Sequence, residues 1–465
     1  MATITTEQSK GNGATLTVEQ HGVEPIPFSE RHGKVGQLFT LWFSANLGMP
    51  AWLVGALAIV FGLSLGDALL AIVVGNLIGC ALVGVASMMG PLTGVPQLPL
   101  TRRSFGRLGA YLPAFLNWLS CTGWYAVNSV LGSLALARLF GFDFLPALLV
   151  LSAVQILLGI YGHNLIHAFE RVMAVVLGAL FVVMYVTAAP AFANFSKPAI
   201  TTGDAHFGMM LLLITAVASY VFSWSTYGAD YSRYLRPDSS KAKVFGYTFL
   251  GSFLSCVLVE FLGALVTSAT GFSGANADPI QRVVTTVGSN LAIPALIAII
   301  LGTITANVLN IYTGAMSLLT MQLPVKRWMS VVAVGLLGGV FTYYLFANNL
   351  SSGYERFLLL ISYWIAPWLA VVAAHFFIVN RGKDTGQAAA VAPFHWSGIA
   401  AFLVGVAASV PFISSQLFSG PFAGWFSGGD VAYYIGFLVA GGFYLALARL
   451  MPATTNKPMP TPVAE

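Results

Sequence analysis

The chain has 465 residues, of which 57% are hydrophobic and only 8% charged. A soluble domain carries about 25% charged residues to present a solvated surface, so a water-soluble globular protein is excluded and lipid is the expected solvent. The net charge of +5 comes from 21 Lys and Arg against 16 Asp and Glu; the basic residues sit between apolar stretches, where they set topology, and no nucleic-acid surface is expected.

The first 30 residues hold no apolar run, so no cleavable signal peptide is expected; residues 1 to about 22 are polar and expected to be disordered within a cytoplasmic tail covering residues 1–35. Stretches of about 20 apolar residues follow at 38–65, 68–90, 108–140, 145–163, 167–190, 208–230, 244–271, 291–320, 326–348, 355–379, 394–418 and 430–450. They predict an all-α integral membrane protein of about twelve spans, with 11 or 13 left open by the short connections after spans 1 and 4. Span 1 reads FTLWFSANLGMPAWLVGALAIV, with Ser44, Asn46, Gly48 and Pro50 clustered in its middle. Span 3 holds SCTGWYAVNS, where Trp124 and Asn128, four residues apart, share a helix face. Span 6 reads LITAVASYVFSWSTYGADYSRYL, with Ser223, Ser225, Thr226 and Gly228 in its middle. Near its end, Asp230 and Arg233 read as a gate or boundary ion pair. Span 7 holds Glu260, the only carboxylate read as deep in a span. Span 8 holds LGTITANVLNIYTGAMSLL, with Asn307 and Asn310 three apart on one face. His163, His167 and His375 fall near helix ends and read as interfacial. Cys80, Cys121 and Cys256 lie inside apolar stretches without metal-ligand spacing and read as packing residues.

With the N-terminus inside, seventeen Lys and Arg fall in cytoplasmic segments and only Arg138, Lys197, Arg282 and Arg356 outside. Cytoplasmic loops carry the Lys/Arg excess, and a miscounted helix would scramble the alternation. Both termini are therefore expected in the cytoplasm, and the protein in the inner (plasma) membrane, because outer-membrane proteins are barrels.

Many secondary transporters contain inverted repeats, each giving one discontinuous helix to a midplane site. Asn46 and Trp224 are 178 residues apart, and Trp124 and Asn307 are 183 apart. Two similar offsets predict five spans (36–207) repeated as five (208–380), the second copy upside down, with spans 11 and 12 (390–450) and a cytoplasmic tail (451–465) appended. The competing reading is that small polar residues only let helices pack closely. An unwound turn frees backbone groups that lipid cannot satisfy, and half-helix ends carry partial charge, so such breaks suit a polar solute and a cation.

Four motifs in order, GVEPIPFSERHG, FSANLGMPAWLVGALA, SWSTYGADYSRYLRP and ISYWIAPW, resemble the nucleobase–cation symporter-1 family, in particular its purine–cytosine permease branch, over about residues 22–380. The resemblance implies a LeuT-like fold of ten core helices in two inverted repeats and import of bases or related rings coupled to sodium or protons. A flat base needs an aromatic surface, worth about 1–3 kcal/mol per base, and amides that donate and accept along its edge. By resemblance Trp124 is the stacking residue, against an interfacial or core Trp as the alternative, and Asn128 supplies an amide. Trp224 matches a family residue on the opposite ring face, with backbone near Ser223, where relatives often have Gly, approaching the base edge. Asn307 matches a substrate-recognition position, and Asn310 and Asn46 join the expected substrate-binding set. Bonding between helices is the alternative for the span 8 amides.

Sodium-coupled relatives hold the ion with span 1 carbonyls and span 8 hydroxyls. Thr305 matches one hydroxyl, but Ala306 stands where the second is expected, so the resemblance favours protons as the coupling ion. Burying Glu260 ionised is costly, which keeps it protonated and suits a proton carrier; hydrogen bonding to a neighbouring helix is the alternative. No cofactor and no bound metal are expected. No HExxH, GxSxG or Cys/His metal set marks an enzyme, and no filter sequence marks a channel. The cargo stays open among cytosine and purines, with allantoin or hydantoins, thiamine and pyridoxine as alternatives.

Overall fold

The computed structural model describes residues 18–270, 278–288, 291–348, 354–382, 392–415 and 418–450, so the expected tail over 451–465 lies outside the described residues. Each expected span is a helix. Span 1 is Gly36–Ala45 and Met49–Val60, and spans 2 to 5 are Leu65–Ser87, Tyr111–Phe140, Phe144–Tyr161 and His163–Ala188. Span 6 is Gly203–Phe222 with a tight turn Ser223–Thr226 and a short tail Gly228–Ser232. Spans 7 to 12 are Lys241–Thr270, Ala292–Thr320, Arg327–Ala347, Tyr354–Ala373, Trp396–Ser409 and Ala432–Leu450.

Among the described residues nine helices are long and apolar enough to cross a bilayer, and the two halves of span 1, bent by 59°, make a tenth. The other two are spans 3 and 11. Span 3 has 30 residues, about 45 Å at the helical rise, and its apolar character is diluted by buried polar side chains from Asn117 to Ser133. Span 11 has 14 residues and is prolonged by the turn Val410–Phe412.

Spans 1, 2, 6 and 7 pack on one another, and spans 3, 4, 8 and 9 form a second group. Each group takes two members from each half of the chain, five spans apart, as two repeats of five require. Span 5 lies against the first half of span 1 and against span 8, span 10 against spans 6 and 12, and spans 11 and 12 pair. Leu149, Leu157, Val175, Val186, Leu336 and Val340 point outward, an apolar perimeter suited to lipid.

The break of span 1 follows from its residues. The first half ends at Asn46, Gly48 is extended (φ −152°, ψ 168°), and Pro50 opens the second half, a position where a missing N–H costs nothing. Close backbone packing holds the kink. A Cβ on Gly55 would collide with the Glu260 carbonyl, one on Gly263 with the Trp52 carbonyl, and one on Gly302 of span 8 with the Leu47 carbonyl inside the break. Gly302→Leu is expected to destabilise the protein by about 1–3 kcal/mol through overpacking, seen as a lower Tm in detergent; an unchanged Tm would show that the break has slack.

Glu19, in the stretch expected to be disordered, is packed. The Glu19 side chain is 6% exposed and meets Arg233 at 2.8 Å. Polar composition hid this, because the partners that bury Glu19 come from distant spans.

Candidate functional site

A cavity lies where the break of span 1 meets spans 3, 6 and 8. Its lining is Ala45, Gly48 and Pro50 from span 1, Trp124 and Asn128 from span 3, Tyr220 and Trp224 from span 6, and Ala306 and Asn310 from span 8. Its volume is about 290 Å³, the space open at its mouth included.

Four of the expected residues line it together: Trp124, Asn128, Trp224 and Asn310. Trp124 stands edge-on to Tyr220 (5.6 Å between centroids) and to Phe357 (5.2 Å). Asn128 donates to the Trp124 carbonyl at 2.8 Å, while its buried Oδ1 has no hydrogen-bond partner among the described residues. A buried acceptor left open on a cavity wall is matched by a ligand that donates a hydrogen bond.

The other three stand behind the wall. Asn46 donates to the Trp42 carbonyl at 2.8 Å and accepts from the Trp224 indole N–H at 3.0 Å, tying the break of span 1 to span 6. The Ser223 hydroxyl bonds back to the Tyr220 carbonyl at 2.7 Å, so span 6 tightens into a narrow turn where an opening was expected. Asn307 donates to the Tyr125 carbonyl (3.0 Å) and to Ser129 (2.8 Å), and its Oδ1 accepts from Asn310 (3.0 Å). Its amide is used up in joining spans 3 and 8. Asn310 also accepts from the Tyr227 hydroxyl at 2.7 Å. Two contributors were missed. Tyr220 lies one turn before Trp224, so helical spacing pointed to it; Tyr227 gave no signal beyond its place in the same motif.

The Thr305 hydroxyl bonds to the Gly302 carbonyl at 2.8 Å and lies 3.4 Å from the Ser44 carbonyl. Ala306 beside it lines the cavity and brings no oxygen from its side chain. Glu260 is buried and accepts from Asn76 of span 2 at 2.5 Å, its other oxygen having no partner among the described residues. It is not the only deep carboxylate. Glu170 of span 5 is also fully buried and is bonded by the Ser44 hydroxyl; the adjacent Arg171 made its segment read as a boundary.

Two further expectations need correction. Arg233 pairs with Glu19, and Asp230 instead accepts from the Gln97 N–H at 2.7 Å and Thr313 at 2.6 Å. His163 and His167 are buried at 4% and 5% exposure, packed against Tyr234 and Tyr231, so they are not interfacial. The three cysteines are buried and form no disulfide, in line with their reading as packing residues.

Over residues 25–436 the chain matches the family described as permease for cytosine/purines, uracil, thiamine, allantoin. It is 31% identical to YxlA of Bacillus subtilis, whose designation as a purine-cytosine permease is provisional, over 93% of this chain and 96% of that one. It is 28% identical to the purine-cytosine permease fcyB of Emericella nidulans, over 93% and 89%. Its fold matches that of Mhp1, a nucleobase-cation-symport-1 transporter solved in a closed conformation with bromovinylhydantoin bound. The TM-score is 0.77 at 17% identity, covering 92% of this chain and 95% of that one.

Proposed function

Because this chain belongs to the nucleobase–cation symporter-1 family, the permeases for cytosine/purines, uracil, thiamine and allantoin, we propose that it imports a nucleobase, cytosine or a purine, by cation symport. It is a multi-pass membrane transporter, not an enzyme. The supporting observation is the cavity at the break of span 1, which is lined together by two indoles, an amide with an open acceptor and a second amide. Indoles offer a flat ring its stacking faces, and the Asn128 oxygen offers its edge N–H a partner. Trp124, Asn128, Trp224 and Asn310 are proposed to touch the base. Asn46, Ser223 and Asn307 are proposed to hold the wall in shape. In this reading both termini are cytoplasmic and the two helix groups alternate access around the cavity.

The test is uptake of labelled cytosine by cells lacking their own permeases, with competition by unlabelled purines, pyrimidines, allantoin, thiamine and pyridoxine. Saturable, gradient-dependent uptake inhibited by bases is expected. If no purine or pyrimidine competes, the base reading ends and a related heterocycle takes its place.

The proton is the proposed coupling ion, since Thr305 is followed by Ala306 and a sodium site of about five oxygens would be short of one. Glu260 is the first candidate carrier. Glu260→Gln is expected to slow proton-driven uptake while leaving equilibrium binding intact; an unchanged rate would remove it from coupling.

A further inference from the structure

We infer that Glu170 and Ser44 form a second proton-binding site, built into the break of span 1 and linked through it to the cargo cavity. The inference rests on the proton-coupled reading above.

Glu170 lies on span 5, fully buried, with Oε2 bonded by the Ser44 hydroxyl and Oε1 without a partner among the described residues. No ion pair neutralises it among those residues. Span 1 brings no titratable side chain between Gly36 and Ala45. The titratable groups on its other neighbours are Tyr161 on span 4, Asp230, Tyr231 and Arg233 at the tail of span 6, Tyr312 on span 8, Lys241, Lys243, Tyr247, Cys256 and Glu260 on span 7, and Arg282 on the short helix Pro279–Val287. On its own helix His163 and His167 precede it and Arg171 faces outward. Arg233 is occupied by Glu19. An ionised carboxylate in such surroundings is costly, whereas a neutral acid is not.

The Ser44 hydroxyl has one hydrogen and three competing acceptors, the Thr40 carbonyl at 2.7 Å, the Leu41 carbonyl at 3.2 Å and Glu170. With Glu170 protonated, its O–H donates to the Ser44 oxygen and the serine hydrogen points to Thr40. With Glu170 ionised, the serine hydrogen must turn to the carboxylate. The proton thus sets which way the last turn before the break is bonded. The Ser44 carbonyl also accepts from the Leu47 N–H at 3.0 Å, closing the break, and faces Thr305. The residues immediately after Ser44 and Thr305, Ala45 and Ala306, line the cavity. A proton taken from one side of the membrane and released to the other would therefore be sensed one residue from the cargo.

The experiment uses the full chain in proteoliposomes, with labelled cytosine as probe. Glu170→Gln is expected to lower accumulation driven by a pH gradient at least tenfold while retaining exchange of internal for external cytosine. Ser44→Ala, which keeps the carboxyl, is expected to shift the pH midpoint of uptake. Full gradient-driven accumulation by Glu170→Gln overturns the inference. If that variant does not fold, an unshifted midpoint in Ser44→Ala overturns it. A wild-type protein that ignores the pH gradient sinks the coupling reading itself. In that case infrared difference spectra of the purified protein between high and low pH decide the site: loss of a carboxylic-acid carbonyl band in Glu170→Gln supports it, and an unchanged spectrum overturns it.

Discussion

Trp124→Ala is expected to abolish cytosine uptake while the protein still inserts into the membrane in normal amount. Trp124 lines the cavity and is 6% exposed, and losing a stacking face costs about 1–3 kcal/mol per base, about 5- to 150-fold in affinity. Transport falls further because Tyr220 and Phe357 are set edge-on to the same indole and lose the surface that orients them. Trp124→Phe, which keeps a ring, should retain measurable uptake. Labelled uptake and calorimetric binding, normalised to protein in the membrane, check both; normal transport by the alanine variant would take Trp124 out of the site.

Glu19→Gln is expected to lower stability by about 3–5 kcal/mol, the cost of leaving a buried charge without its partner. One carboxylate accepts from Arg233 (2.8 Å), Tyr234 (2.6 Å), Tyr312 (2.8 Å) and the His163 N–H (2.9 Å). The Arg327 side chain also donates to the Glu19 carbonyl at 3.0 Å. Burial alone would raise the Glu19 pKa, but Arg233, Arg327, the Tyr234 hydroxyl and the His163 N–H together hold it below the usual carboxylate value of 4.5. A depressed value gives the sign: the clamp stabilises at neutral pH, and its contribution fades as pH falls below 4.5 through the folded-state value. Melting curves against pH should converge for wild type and variant at the acid end. Curves that stay parallel would show that the carboxylate charge contributes nothing.

The fold was legible in the sequence because lipid imposes it. Apolar runs of span length and alternating basic loops fix the number and order of helices, and the Asn–Gly–Pro cluster marked the break of span 1 in the right place. The wall residues were partly legible. Trp124 with Asn128, and Trp224, announce themselves as an aromatic and an amide in apolar surroundings. Whether an amide such as Asn307 faces a cavity or a neighbouring helix depends on the partner's register, here Ser129 and the Tyr125 carbonyl, which spacing within one helix does not contain. Glu170 and Glu19 were missed for the same reason. Each sits beside charged or polar neighbours in sequence, and only packing between distant segments takes it out of solvent.

The glycines of span 7 bear on how the protein moves. Both halves of span 1 rest on that helix: a Cβ on Gly251 would lie 2.6 Å from the Phe39 carbonyl, and Gly55 and Gly263 bring the second half closer still. Span 7 thus lies as a splint across the kink, and in the proposed transport cycle the two halves are expected to travel with it as one piece. Sliding is left to the opposite contacts, Ser44 on span 5 and Leu47 on span 8, which are the contacts a passing proton and a departing cargo would loosen.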